Sequence, residues 1–490
     1  MRLSLATLDR VPGDVLRPAY DRDAVRTGVV HLGIGAFHRA HQAAMFDDVL
    51  NAGDLRWGIV AASLRSRTVR DQMAPQDGLY TMLVRDGAEQ TARIIGAVQR
   101  VLIAPEAPAE LLAVMAAPDT QIVTLTITEK GYKLDPATGA LIEDDAQLAE
   151  DLVSLDRPQT ALGYIVAALA MRRAAGLGPF TAISCDNLPH NGSRLRAGVL
   201  ALARRHDPAL AAWIEAEGAF PETMVDRIVP ATTSDDIADL AARLGVEDRA
   251  MVKTEPFTQW VIEDRFCGPR PAFGAGVQLT AAVAPWEEAK LRLLNGAHSG
   301  IAYLGGLAGV AHVHEVLGRP EARAFVEQLW DEAQTTLSPP PELDIAAYRR
   351  ALMARFDNPM LMHRTHQIAM DGSQKLPQRL LAPIAARLRG GQGIEALSLA
   401  VAGWIRWQAG RDDAGQAFVV DDPLTAMLSA ALAGADDATA RVDAVLQVGA
   451  IVPPVLRKSA LFRATLIRWL TVLETRGALA ALALCKDVSR

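Results

Sequence analysis

Val29-Val-His-Leu-Gly33-Ile-Gly35-Ala-Phe37-His38-Arg39-Ala-His41-Gln42 decides how the first half of the chain is read. An apolar run meets two glycines and passes into a helical pattern that reaches about Asn51. A buried strand, a tight glycine turn and a helix start together open a dinucleotide-binding βαβ unit. Gly33 permits the turn. Gly35 lets the backbone approach a pyrophosphate seated at the helix N-terminus. The third glycine of the usual fingerprint is missing and His38 stands in its place, so the pattern alone also fits an ordinary strand-to-helix turn. Residues 57–63 read as a second strand, ending where an adenosine ribose would lie. Arg65, Ser66, Arg67 and Thr68 follow it in place of an acid; they suit a 2′-phosphate or a solvated loop.

The next stretches repeat the strand-and-polar-end pattern. Residues 121–132 form an apolar strand closing on Thr128, Glu129, Lys130 and Gly131. Ligands gather at the carboxyl ends of parallel strands, which places Glu129 and Lys130 for a site, although strand ends are polar in any protein. A helix is expected over residues 161–175. Residues 180–192 run from a strand into a turn carrying Asn187 and His190; the alternative there is an Asx-type turn capping the helix of residues 195–205. Residues 223–230 and 255–264 read as β segments with embedded charges, and residues 1–27 as an irregular lead-in.

From Pro285 helical periodicity takes over, with helices expected over residues 286–307, 319–335, 344–355, 376–389, 392–409, 423–432, 438–447 and 459–486. The expected architecture is α/β: an N-terminal Rossmann-like parallel-sheet domain over residues 1–284, then a mainly α-helical domain over residues 285–490. The second domain opens on Lys290-Leu-Arg-Leu-Leu-Asn295-Gly-Ala-His298. At about 100° per residue, Lys290, Glu287, His298 and Asn295 share an arc of about 140° with Leu291, Leu294 and Ile301. A Lys kept on such an apolar stripe loses proton affinity and can serve as a general base. An Asn amide and an imidazole beside it would hold a hydroxyl and stabilise a developing alkoxide. The alternative is a helix whose long polar side chains snorkel to water.

Bulk composition narrows the classes. The chain has 490 residues, 50% hydrophobic and 22% charged, with a net charge of −7, enough for domains with their own cores. An acidic balance argues against nucleic acid or an anionic membrane as the main partner. The three cysteines form no framework, which suits a reducing cytoplasm. No signal-peptide run or membrane-spanning apolar stretch is expected. His38-x-x-His41, His312-x-His314 and His363-x-x-His366 lack Cys partners and zinc-helix spacing, so no metal site is expected. No nucleophile elbow or Walker loop is present.

Several segments together resemble the long-chain mannitol dehydrogenase family, with its fructuronate reductase (mannonate oxidoreductase) members. They are Gly33 to Gln42, Thr126-Ile-Thr-Glu129-Lys130-Gly-Tyr132, Ser184-Cys-Asp-Asn187-Leu-Pro-His-Asn-Gly192, Met224-Val-Asp-Arg-Ile228, Glu255-Pro-Phe257 with Gln259-Trp-Val-Ile-Glu263-Asp264, Lys290-x4-Asn295-x2-His298, and Asp371-Gly-Ser-Gln-Lys375. The resemblance spans nearly the whole chain. It implies a metal-independent polyol or aldonate oxidoreductase using NAD, with NADP left open, and an active site in the cleft between the two domains. It makes Lys290 the general base, Asn187 and Asn295 the oxyanion pair, and His298 a positioner of the substrate oxygen. Glu129 and Glu287 become a proton relay. Lys375, Lys130, Arg364 and Gln367 fall on the substrate side, and Gly33, Gly35, Phe37, His38, Arg39, Arg65 and Thr128 on the cofactor side.

Two departures favour a sugar acid, with mannonate and fructuronate ahead of mannitol and fructose. Mannitol 2-dehydrogenases carry an Arg where this chain has Gln367, and a Gly where it has Lys130. Lys130 could meet a substrate carboxylate; a plain loop lysine is the alternative. The small-molecule substrate is the only partner expected; a non-catalytic nucleotide-binding protein is the remaining rival, and the oligomeric state is not readable.

Overall fold

The computed structural model describes residues 1–87, 89–135 and 138–488. The chain forms two compact units, Met1–Val283 and Ala284–Arg490. The first carries the strands β1 (Thr27–Leu32), β2 (Gly58–Ser63), β3 (Tyr80–Asp86), β4 (Glu89–Ile95), β5 (Val98–Ile103), β6 (Ile122–Leu125), β7 (Thr181–Ser184), β8 (Thr223–Asp226), β9 (Val252–Thr254), β10 (Gln259–Glu263) and β11 (Val277–Thr280). Five of them make one sheet in the order β5-β2-β1-β6-β7, parallel throughout.

Both faces of this sheet are covered, which is why its strands read as unbroken apolar runs. Val30, Leu32, Val60, Ala62, Val123 and Leu125 pack on one side against Leu162, Ile165 and Val166 of the helix Ala161–Ala174. Val29, Ile59, Ala61, Ile122 and Ile183 pack on the other with Phe46, Val49 and Leu50 of the helix Gln42–Asn51. Strand order reverses between β1 and β6, so their carboxyl ends at Leu32 and Leu125 border the crevice where such sheets bind ligands.

Two further three-stranded sheets, β11-β10-β8 and β4-β3-β9, complete the unit. The β3–β4 hairpin has no counterpart among the sequence expectations. The reason is visible at Glu89, Gln90 and Thr91, which are exposed and give β4 no apolar start. The lead-in is irregular, as expected, with short 3-10 turns at Leu5–Arg10 and Arg22–Ala24, and Leu3, Val11 and Val15 are buried with Leu79, Leu83, Ile94 and Leu240 in a small core of their own.

The second unit is helical. At its centre runs the helix Gly296–Leu307, in which every residue except His298 is buried. Small residues make that possible: a Cβ on Gly300 would meet the Phe325 ring at 2.9 Å, and one on Gly305 would meet Val316 at 2.4 Å. Around it stand Pro320–Gln334, Glu395–Trp407 and Ala460–Val488, with Trp330, Trp404, Trp469, Phe325 and Phe462 fully enclosed. No described helix is long and apolar enough to cross a membrane.

The helix expected over residues 286–307 is not one regular α-helix. It runs as Ala284–Ala289, a π-helical stretch Lys290–Asn295, and Gly296–Leu307. At the junction the Gly296 N–H reaches back to the Leu291 carbonyl, five residues away, and the Trp330 indole donates to the Leu293 carbonyl at 2.9 Å. The helix expected over residues 376–389 is likewise split, with a π-helical stretch Pro377–Leu381 before Ala382–Arg389. Prolines at 377 and 383 explain this second case, since neither can donate to the residue four earlier. Period counting at a uniform angle per residue cannot register such insertions.

Glu332 gives this unit a pH dependence. Its buried carboxyl accepts the N–H groups of Ala396 at 2.8 Å and Leu397 at 3.0 Å, in the first turn of Glu395–Trp407. Burial outweighs those two bonds and pushes its pKa from 4.5 up to about 7. A carboxyl raised on folding stabilises most below its unfolded pKa, and that contribution is lost as pH rises through the folded value. The wild type should therefore lose melting temperature between about pH 5 and pH 8 relative to Glu332→Gln. Parallel pH profiles for the two proteins would contradict this.

Candidate active site

The glycine turn after β1 is built from its surroundings inward. Gly33 has φ +99°, and a Cβ there would sit 2.2 Å from the Thr126 carbonyl oxygen at the end of β6. No side chain larger than hydrogen fits. Gly35 differs: the nearest atom to a Cβ placed on it is the Gly33 carbonyl oxygen at 3.9 Å, so the turn presents open space at that position. Behind the turn, fully buried His31 meets Thr124 Oγ1 at 2.7 Å through Nδ1 and Thr126 Oγ1 at 3.0 Å through Nε2. The Thr126 hydroxyl donates to the Gly33 carbonyl at 2.7 Å. Its proton being spent there, His31 Nε2–H must be the donor and Nδ1 the acceptor. This is a neutral imidazole, in keeping with a pKa driven down to about 3 by burial.

His38, in the place of the third glycine, stacks on His31 with ring centroids 3.4 Å apart and planes 9° apart. It is fully buried. Arg39 is also buried and donates to the carbonyls of Ala250 at 2.5 Å and Gly35 at 3.2 Å. Both residues thus brace the turn from inside rather than lining its open side. Phe37 is half-buried and stacks on His41 at 4.9 Å. Beyond β2, Arg65 is exposed, while Arg67 is ion-paired with Glu106.

Asp186, which the sequence reading passed over beside Asn187, organises the ends of β6 and β7. Its Oδ2 accepts the Ile127 N–H at 3.1 Å and the Tyr132 hydroxyl at 2.7 Å, and its Oδ1 accepts the Thr128 N–H at 2.9 Å. These bonds hold Thr128 at φ +64°, a conformation a β-branched residue rarely adopts. Thr128, Glu129, Lys130 and Asn187 are exposed around this knot, with Arg194 3.5 Å from Glu129. The backbone after Asn187 is pinned by Asn191, whose amide donates to the carbonyls of Asp186 and Thr223, each at 3.0 Å.

In the second unit the chemistry-bearing residues bracket the first π stretch. Lys290 is its first residue and only 7% exposed; Asn295 is its last and half-buried. An extra residue in one turn swings the following helix by about 100°. That carries His298 from about 80° off the Lys290 direction on a plain α-helix to within about 20° of it. The His298 ring lies against Phe356 at 4.7 Å and His363 at 5.6 Å, and its Nε2 is enclosed with no hydrogen-bond partner among the described residues. Burial, with His363, Arg355 and Arg379 nearby, holds its pKa well below 6.5, so the ring is neutral. His363 is pushed down to about 4 by the same burial, helped by Arg355.

Glu287 is half-buried one turn before Lys290. Lys375 is part-buried; its ammonium donates to the Met370 carbonyl at 2.5 Å and lies 3.6 Å from Asp371, and burial lowers its pKa. Arg364 and Gln367 are exposed; Arg364 is bridged through its backbone to His312. The sequence reading singled out neither Ser299 nor Arg379. Arg379 Nη1 donates to Ser299 Oγ at 3.2 Å, and Ser299 Oγ donates to the Asn295 carbonyl at 3.0 Å. The available signal was one Arg inside the apolar run from Leu376 to Leu381. Of the remaining histidines, His366 packs on Trp407 and Phe418 and His312 stacks on His314. No group of three or more potential metal ligands occurs among the described residues.

A parallel sheet with a glycine turn at its switch point, followed by a helical unit with an enclosed lysine and a neutral histidine, defines the class: an α/β oxidoreductase. Comparison with known proteins makes this specific. Residues 27–274 match the mannitol dehydrogenase Rossmann domain, and residues 282–466 the mannitol dehydrogenase C-terminal domain. The chain belongs to the mannitol dehydrogenase family. It is 44% identical over 459 residues to the D-mannonate oxidoreductase of Escherichia coli, covering 91% of this chain and 93% of that one. It is 41% identical over 472 residues to the mannitol 2-dehydrogenase of Pyrenophora tritici-repentis, covering 94% and 82%. Among solved structures, the Pseudomonas fluorescens mannitol 2-dehydrogenase complex with NAD and D-mannitol superposes with a TM-score of 0.81 at 36% identity, covering 99% of this chain and 100% of that one.

Asp186→Asn tests the knot between β6 and β7. An amide cannot accept on both sides, so one NH2 would face a backbone N–H or the Tyr132 hydroxyl. A loss of about 1–3 kcal/mol is expected, read as a lower melting temperature with intact secondary structure. An unchanged melting temperature would show that the knot is not under that constraint.

Proposed function

We propose that the protein is an NAD-dependent oxidoreductase that interconverts D-mannonate and D-fructuronate by hydride transfer at the secondary alcohol, with Lys290 as general base. The observation that carries the mechanism is the enclosed ammonium of Lys290 at the head of a π stretch that also ends on Asn295 and leads to a neutral His298. A regular α-helix would not align these groups in this way.

The residues at the glycine turn fit a dinucleotide. Gly35 leaves room for a pyrophosphate, Gly33 and its bracing by His31, His38 and Arg39 set the turn, and Phe37, Thr128 and exposed Arg65 border the same strand ends. When bound, the nicotinamide accepts the hydride from the carbinol carbon. Every other task falls to the chain. Lys290 takes the hydroxyl proton, and Glu287 and Glu129 pass it to solvent. Asn187 and Asn295 donate to the oxygen as it gains charge, and neutral His298 orients it without adding a competing cation. Lys375, Lys130, Arg364 and Gln367 are assigned to the substrate's remaining oxygens. Arg65 leaves NADP as an alternative cofactor, since no acid occupies the residues after β2 that would meet a ribose 2′-hydroxyl.

Identity to the mannonate oxidoreductase, Lys130 and Gln367 support the sugar acid. The mannitol 2-dehydrogenase relatives support a second reading, in which the same residues act on mannitol and fructose. The three free thiols support a cytoplasmic setting.

Lys290→Ala should lower turnover by several powers of ten while leaving the affinity for NADH, read by its fluorescence, within about threefold. Retained turnover would remove Lys290 from the mechanism. Initial rates with D-fructuronate and with D-fructose, each with NADH and NADPH, separate the two substrate readings. Fructuronate should give the higher kcat/KM, and a preference for fructose would reverse the assignment.

A further inference from the structure

Arg379 stands apart from the other cations of the second unit. It lies on the second π stretch, Pro377–Leu381, whose backbone reaches the first: a Cβ on Gly296 would be 3.2 Å from the Arg379 carbonyl oxygen. Its side chain runs to Ser299, one residue beyond His298. Nη1 donates there, and among the described residues Nε is enclosed with no partner and Nη2 has no hydrogen bond. Arg379 makes no ion pair with the described residues; the nearby Asp371 lies instead 3.6 Å from Lys375. A half-enclosed guanidinium without a carboxylate in ion-pair contact is costly, because burial strips its water and the Ser299 hydroxyl, with Asp371 and Tyr303 at longer range, replaces only part of it. Lys375, one turn earlier, and Arg355 bring charge of the same sign to this cluster, Asp371 alone brings the opposite sign to Arg379, and His298 and His363 are neutral. The cluster therefore offers positive charge and an unused donor immediately beside the residue that orients the reacting oxygen.

We propose that Arg379 is the carboxylate anchor of the site, gripping the acid group of a sugar-acid substrate and so setting preference for sugar acids over uncharged polyols and ketoses. A carboxylate supplies what the guanidinium lacks, through charge-assisted hydrogen bonds that an uncharged hydroxymethyl group cannot equal. Ser299 fixes the guanidinium and, through its bond to the Asn295 carbonyl, ties the anchor to the segment carrying the oxyanion donor. The inference rests on the reading of Lys290, Asn295 and His298 as the reacting centre. It differs from assigning the carboxylate to Lys130, which lies in the other unit.

The test uses the full chain and the variants Arg379→Gln, Arg379→Lys and Lys130→Gln, each checked by its melting curve. The ratio of kcat/KM for D-fructuronate over D-fructose should fall about 10- to 100-fold in Arg379→Gln, chiefly through KM for fructuronate. Arg379→Lys should restore part of it, and Lys130→Gln, which removes a proposed contact to the substrate's other oxygens, should lower the ratio several-fold less than Arg379→Gln does. An unchanged ratio in Arg379→Gln overturns the proposal. So does an equal fall in kcat on both substrates, which would mark Arg379 as a positioning residue for Asn295, and so does a shift confined to Lys130→Gln. Should the wild type prove to prefer fructose, the substrate reading fails but the anchor is still tested without turnover. D-Mannonate should then raise the melting temperature more than D-mannitol does, and Arg379→Gln should abolish the difference. Absence of that difference in the wild type, or its survival in the variant, overturns the anchor as well.

Discussion

The second unit depends on one close approach: the Gly296 backbone against the Arg379 carbonyl, where two π-helical stretches touch. Each is an insertion into a regular helix, and each would cost stability if isolated, because its carbonyls and N–H groups lose their usual partners. Packed together they compensate. The Trp330 indole takes the Leu293 carbonyl, Pro383 has no N–H to offer Arg379, and glycine at 296 allows the second backbone to come in. The result is a fixed segment from which Lys290, Asn295, His298, Lys375 and Arg379 all project. Their placement is a backbone property, and the side chains inherit it.

The first unit solves the same problem of placement with side-chain hydrogen bonds. The Gly33 turn is held by Thr126, Thr126 by His31, and His31 is covered by His38. The left-handed Thr128 is held by Asp186. Buried imidazoles that never gain a proton make durable parts for such a frame, since their hydrogen bonds do not change with pH in the physiological range. His31 and His38 next to the glycine turn thus serve its shape, which explains why a fingerprint missing its third glycine still forms the turn.

Much of this was legible in the sequence. The strand-turn-helix at Val29 to Gln42, the parallel strands beginning near Trp57, Gln121 and Phe180, and the passage to helices near Pro285 all follow from apolar runs and glycine placement, although the strand expected over residues 121–132 stops at Leu125 and continues as a 3-10 turn. Lys290, Asn295 and His298 stood out because polar groups on an apolar stripe are costly. What escaped has physical causes. The π insertions leave no mark in a periodic pattern, because the composition of a π stretch is that of an α-helix. The hairpin β3–β4 begins on charged, exposed residues. Asp186 looked like part of a turn, and its role depends on the backbone of Ile127 and Thr128, far away in the chain. Arg379 was hidden by the opposite effect: a single arginine in a leucine-rich helix is ordinary until its missing partner is seen.

The helix Gly296–Leu307 has a consequence for how such an enzyme can diversify. Enclosed on every side but one, and held to glycine where Phe325 and Val316 press in, it has no room for larger side chains. On the proposed reading, novelty in substrate choice arises more readily ahead of the second π stretch, where Met362, Arg364, His366, Gln367 and Gln374 are exposed. Under the proposed function, reaction and recognition are thereby written on separate segments, one closely packed and the other more exposed, so a change of diet need not endanger the chemistry.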